Sequence, residues 1–212
     1  MDEHNKKYQK AFLIFTIAQL FMMLGLLQYG GAIKALSGIL SIFVIFESVA
    51  YIMMIVAATK LYEYNKNYFY AFITAIICLF IGMLGTVAKE STEDFTVAWS
   101  RGLLISSDIL LCVIYAYFFL GTKDHFLELG LEKNTKRSRL GFIFVITITI
   151  VINLMSFIGS FHVIKTNYLA AAIFKYGGLA LKFTMYTFMF VILIIMKKDL
   201  KKHLKEDNAH EE

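Results

Sequence analysis

Three ionisable residues stand where an apolar helix should carry none: Glu47 in Ile45-Phe46-Glu47-Ser48-Val49, Asp108 in Ile105-Ser106-Ser107-Asp108-Ile109, and Lys182 in Leu179-Ala180-Leu181-Lys182-Phe183. A charge held at the middle of a bilayer costs at least about 2.5–3.5 kcal/mol on insertion scales. Such residues are therefore expected to face a bundle interior, satisfy one another and mark a path for an ion, a proton or a solute. Two carboxylates beside one amine can hold a cation or a proton, with the ammonium as gate or counter-charge. Fully ionised, Glu47, Asp108 and Lys182 carry a net −1, a charge that burial penalises.

Other polar residues fall at the same depth. Gln19 and Asn153 each stand six positions before a glycine, Gly25 and Gly159 respectively. Arg101, Asp108 and Lys123 are spaced by seven and fifteen, as are Lys175, Lys182 and Lys197. Seven residues return to nearly the same helical face, so Arg101 and Lys175 would guard an outer entrance above Asp108 and Lys182. Tyr51, Tyr115 and Tyr186 follow the three charges by four, seven and four residues, and their hydroxyls would support the layer. Gln19, Asn153, Glu47, Asp108 and Lys182 are thus the expected solute, ion or proton-binding set.

The elements that must position these groups are membrane spans. Of 212 residues, 58% are hydrophobic and 17% charged, with no proline and two cysteines; soluble domains run near 45–50% and 25%. A span needs roughly 20 mostly apolar residues. Six stretches qualify, at 11–29, 35–58, 68–88, 102–120, 140–161 and 170–196. The first follows Lys6, Lys7 and Lys10 but lacks a small-residue cleavage site, so it reads as a retained anchor rather than a signal peptide. Glu47 lies at the centre of the second span, and Asp108 and Lys182 lie slightly outward of the centres of the fourth and sixth. At 1.5 Å rise per residue the three share a slab roughly 5 Å deep.

The fold class expected is an all-α integral membrane protein, with six transmembrane helices arranged as three helical hairpins at 6–64, 66–129 and 133–204 within one polytopic domain spanning 1–212. Lys6, Lys7, Lys10, Lys60, Lys66, Lys123, Lys133, Lys136, Arg137, Arg139, Lys197, Lys198, Lys201, Lys202 and Lys205 fall on one side, against Lys34, Lys89, Arg101, Lys165 and Lys175 on the other. This positive-inside bias places both termini in the cytoplasm of a bacterial-type inner membrane. Glu90, Glu93 and Asp94 form an acidic outer loop, and the tail 197–212 lies near anionic headgroups of the cytoplasmic face. The net charge of +5 therefore needs no nucleic-acid partner.

Met23-Leu24-Gly25, Met83-Leu84-Gly85 and Phe157-Ile158-Gly159 recur near the outer ends of the odd helices, where glycine permits close helix approach. The even helices run on into mixed segments, Lys60-Leu61-Tyr62-Glu63, Phe126-Leu127-Glu128-Leu129 and Leu200-Lys201-Lys202-His203, suited to amphipathic extensions. Tyr29-Gly30-Gly31 and Tyr176-Gly177-Gly178 are the only candidates for broken helices, and both lie near span ends. Cys78 and Cys112 sit mid-span, where a packed thiol is expected rather than a disulfide.

His162 is the only histidine placed at or near a span, so no metal or haem site is expected. No serine-nucleophile elbow, HExxH motif, phosphate loop or potassium filter occurs. No cofactor is implied, and a lipid-modifying enzyme using Asp108 or Glu47 as acid or base would lack its partner groups. Two readings stand ahead of that third one. In one, the polar layer binds or conducts a small solute or ion, with an anionic or amphipathic one favoured by the basic outer residues. In the other, the chain is a non-transporting accessory, assembly or immunity subunit. It would bind another membrane protein or a second copy of itself, with buried charges that only fix helix packing.

Overall fold

The computed structural model describes residues 2–26, 40–89, 94–159, 161, 164 and 166–210. Among these there are six helices: α1 (Asp2–Leu26), α2 (Leu40–Thr59), α3 (Lys66–Lys89), α4 (Asp94–Glu128), α5 (Glu132–Gly159) and α6 (Tyr168–His210). With no proline in the chain, no backbone donor is missing from a helix interior. The ends are set by local chemistry. The Asn65 side chain accepts from Asn67 N at 2.8 Å and Asn167 accepts from Ala170 N at 3.1 Å, capping α3 and α6. Gly130, at φ 69°, ends α4: Leu131 N bonds Phe126 O and Gly130 N bonds Leu127 O, the paired closure that a left-handed glycine allows.

Five helices are long and apolar enough to cross a membrane; in α2 the described apolar part, Ile45–Thr59, is shorter. Large apolar side chains such as Phe80, Leu84, Ile143, Ile150, Leu154 and Phe183 are exposed along the outside. An apolar surface of that extent suits lipid rather than water, and the chain has the architecture of a multi-pass membrane protein.

Each helix packs against its neighbours in the chain, and α6 packs back on α1, closing a ring. The middle of the ring is filled by side chains. On α1 the buried residues Tyr8, Ala11, Phe12, Phe15, Ala18, Gln19, Met22 and Leu26 follow the three- and four-residue spacing of one helical face. They meet Tyr115, Phe118, His125 and Phe126 of α4. Phe15 stacks on Phe118 at 3.9 Å between centroids, and Tyr8 stacks on His125 at 3.5 Å. Tyr8 also meets Tyr64 and Tyr68, while Arg137 at the start of α5 is ion-paired to Asp199 late in α6. The start of α1, the α2–α3 turn, the end of α4, the start of α5 and the end of α6 therefore share one end of the bundle, termed here the terminal end.

Several boundaries differ from the hydropathy reading. α1, α4 and α6 extend well beyond the apolar stretches, because helical hydrogen bonding continues after lipid contact ceases. Lys60–Glu63 is a turn rather than an extension of α2, with Leu61 N bonded to Ala58 O and Tyr64 N to Leu61 O. The segment 200–203 is helical, and the one after the fourth span is helical to Glu128, with Leu129 in the turn. α6 runs unbroken through Gly177-Gly178, while Tyr29-Gly30-Gly31, Glu90, Glu93 and His162 lie outside the described residues. Asp94 begins α4 rather than ending a loop.

Close approach at the glycines is specific. A Cβ added at Gly25 would lie 3.4 Å from Glu47 Cβ and 3.6 Å from its backbone nitrogen, and one at Gly159 would lie 3.2 Å from Phe174 Cβ; the surroundings of Gly85 lie outside the described residues. Gly178 meets nothing within 4 Å. Gly25→Leu should therefore push α2 off α1 and cost about 1–3 kcal/mol, lowering the melting temperature in detergent, while Gly178→Ala leaves it within a degree or two. Equal effects of the two substitutions would contradict this packing.

Candidate functional site

Asp108 sits on α4 in a face otherwise occupied by Ser107, Leu111 and Tyr115, and Lys182 sits on α6 above Met185, Tyr186 and Met189, all buried. Leu111 on α4 and Met185 and Met189 on α6 flank the two charges with buried apolar side chains. Lys182 Nζ donates to both carboxylate oxygens of Asp108, at 2.7 and 2.6 Å. Each side chain keeps 25% of its surface accessible, so the pair is half-buried rather than sealed. That difference matters: a fully desolvated pair is often worth no more than apolar packing, whereas a pair on a cavity wall can exchange partners.

The cavity is small. About 80 Å³ is enclosed by Met22, Gly25 and Leu26 of α1, Glu47 of α2, Ser107 and Asp108 of α4, and Lys182 and Tyr186 of α6, room for a few water molecules. Gly25 makes this site possible, since its missing side chain lets Glu47 come against α1. Both acids, the lysine and a tyrosine hydroxyl therefore share one pocket.

Lys182 also lines a second, larger cavity of about 390 Å³ between α5 and α6. Its walls are apolar at Ile152, Met155, Phe174 and Leu179, with Ser156 and Lys175 as polar points. Lys175 is exposed there, with Nζ 5.5 Å from the centroid of the Tyr176 ring. The second cavity lies away from the terminal end, since α6 reaches Lys175 seven residues before Lys182, about 10 Å along the axis. Arg101 is part of α4, and its side chain lies outside the described residues.

Toward the terminal end the layer closes. Gln19 is fully buried, accepts from Tyr115 Oη at 2.6 Å and donates to Phe15 O at 3.1 Å. Below it lie Phe15, Phe118, Phe12, Tyr68 and Phe126, then the Tyr8–His125 stack. From Gln19 to Tyr8 is eleven residues, or roughly 16 Å of aromatic packing. Gln19 and Tyr115 thus form the floor under the charged cavity and do not contact its ions.

Tyr51 is drawn in through a residue that spacing alone did not single out. Its hydroxyl lies 3.2 Å from Ser107 Oγ, and Cys78 Sγ lies 3.6 Å from the same oxygen. Ser107 joins α2, α3 and α4 beside Asp108; its only sequence signal is a small polar residue next to a buried acid. Asn153 is not brought in: its amide donates to Thr149 O of its own helix at 2.9 Å, and it lines neither cavity. Histidine placement also differs, since His125 is buried at the end of α4, where it completes the aromatic packing. Both cysteines are free thiols, and the described residues hold no group of three potential metal ligands.

Removing one charge should be asymmetric. Lys182→Met leaves Asp108 and Glu47 as two carboxylates in one cavity, whereas Asp108→Asn leaves Lys182 beside Glu47. Chemical denaturation in micelles should show Lys182→Met less stable than Asp108→Asn by 1 kcal/mol or more, with much of the loss recovered in the double variant Asp108→Asn/Lys182→Met. Strictly additive effects would show the pair to be uncoupled. No protein-family model, curated protein or solved structure matches this chain.

Proposed function

We propose that this protein is a six-span, three-hairpin membrane protein with both termini in the cytoplasm of a bacterial-type inner membrane. Its Glu47–Asp108–Lys182 layer binds a small solute or ion entering from the outer side. The observation that carries this reading is the position of Lys182. It is bonded to Asp108, faces Glu47 across the small cavity and opens on the larger one between α5 and α6. An amphipathic anion fits the larger cavity, with its apolar part against Met155, Phe174 and Leu179 and its charge toward Lys175. Its arrival would compete with Asp108 for Lys182, and a proton taken up in the layer would offset the released carboxylate. The aromatic packing beneath Gln19 and Tyr115 supports reading this conformation as the outward-facing, inwardly closed state of a transporter.

A second reading has its own support: the sealed aromatic half and the satisfied ion pair suit an accessory, assembly or immunity subunit that moves nothing. The two differ in flux. In proteoliposomes holding a pH-sensitive dye under a potassium-diffusion potential, the wild-type protein should carry protons above empty vesicles. Glu47→Gln and Lys182→Met should each change that rate about tenfold or more. A wild-type rate equal to that of empty vesicles, or no change in either variant, would reject transport of protons by this layer and favour the subunit.

A further inference from the structure

A third cavity, of about 410 Å³, lies between α4 and α5 near the terminal end of the bundle, remote from the charged layer. We propose that it is a binding site for one anionic phospholipid. Its walls are Phe119 and Leu120 of α4 and Phe142 and Ile143 of α5; its polar residues are Lys123, Ser138 and Arg139. The order along the two helices is what makes the shape lipid-like. On α4 the basic residue follows the apolar wall by about one turn; on α5, which runs the other way, it precedes it by about one turn. Both helices therefore place their cation roughly 5 Å nearer the terminal end than their apolar side chains. An acyl chain lies against the phenylalanines while a phosphate lies between Lys123 and Arg139.

Ser138 supplies the independent sign of a ligand. It is fully buried and lines the cavity, yet its Oγ has no hydrogen-bond partner. A buried hydroxyl left unsatisfied costs on the order of 1–3 kcal/mol, and a phosphate oxygen would accept from it. Arg139 is exposed, and Lys123 is held only by a long, part-exposed pair with Asp124 Oδ1 at 3.8 Å, for which a phosphate would compete. The cavity keeps its form because the Phe119 ring lies over Gly141, where an added Cβ would stand only 2.5 Å from the ring. On the proposed topology this end is cytoplasmic, where basic pockets between spans suit phospholipid headgroups, whereas the apolar wall has no use for a free phosphate ion.

Native mass spectrometry of the full chain in neutral detergent tests the assignment, with dioleoylphosphatidylglycerol, dioleoylphosphatidylcholine and inorganic phosphate as probes. The wild-type protein should retain one phosphatidylglycerol with about tenfold or greater preference over phosphatidylcholine. Lys123→Gln/Arg139→Gln should abolish the preference, while Lys201→Gln/Lys202→Gln, an equal loss of charge on the exposed end of α6, should keep it. Ile143→Trp, which fills the apolar part and leaves both cations, should weaken phosphatidylglycerol binding; it keeps the test informative if the double variant does not fold. Equal retention of the two lipids by the wild-type protein, or equal loss in both double variants, would overturn the site. Displacement of the lipid by millimolar inorganic phosphate would show a soluble phosphate site and overturn the lipid assignment.

Discussion

An ammonium and a carboxylate carried into an apolar bundle have to meet, and the Lys182–Asp108 pair sets how α4 and α6 face each other. The ring is otherwise built from contacts between neighbours in the chain and between α6 and α1. α4 reaches across it through Asp108 to Lys182, Tyr115 to Gln19 and Ser107 to Tyr51, and through its ring stacks on α1. Between helices that share an apolar environment there is little hydrophobic drive to associate. Polar bonds across the ring, and glycines such as Gly25 that let backbones close in, therefore decide which arrangement is unique. Losing the pair would remove both an attraction and the reason for the α4 face to point inward.

That constraint divides the bundle into two unlike halves. One contains charges, hydroxyls and cavities on both sides of Lys182; the other is packed with Phe12, Phe15, Tyr68, Phe118 and Phe126. Stacked and edge-to-face rings contribute about 0.5–1.5 kcal/mol per pair beyond their area, so the closed half is the rigid part. Glu47 and Lys182 have no such support. Both line the small cavity, and Lys182 lines the larger one as well. This asymmetry, more than the charge count, is what supports a site accessible from one side.

Much of this was legible in the residues. Mid-span Glu47, Asp108 and Lys182 had to converge because lipid penalises each alone, and they share one pocket; glycine at 25 and 159 had to mark close approach, and does. Other features were hidden for physical reasons. An amide in a helix can bond the carbonyl four residues back, and Asn153 does so; spacing cannot choose between that bond and a partner on another helix. Ser107 matters through contacts with three helices that no linear pattern encodes. His125 is covered by Tyr8, more than a hundred residues away, which stacks on it. Hydropathy marks where lipid begins and ends; the mixed segments after the fourth and sixth spans signalled that those helices continue, whereas the polar first turns of α1 and α4 carried no such signal.

The proposed site requires that water reach the charged layer from between α5 and α6. Single cysteines at Leu179, half-buried on the cavity wall, and Leu154, 54% exposed on the outer face, distinguish water from lipid, because an impermeant methanethiosulfonate reacts only with hydrated thiolates. Each would be placed in a chain with Cys78 and Cys112 replaced by alanine and reconstituted in liposomes. Leu179→Cys should label rapidly from one side only and Leu154→Cys little, despite its greater exposure. An unreactive Leu179→Cys from either side would show a dry cavity and contradict the proposed site.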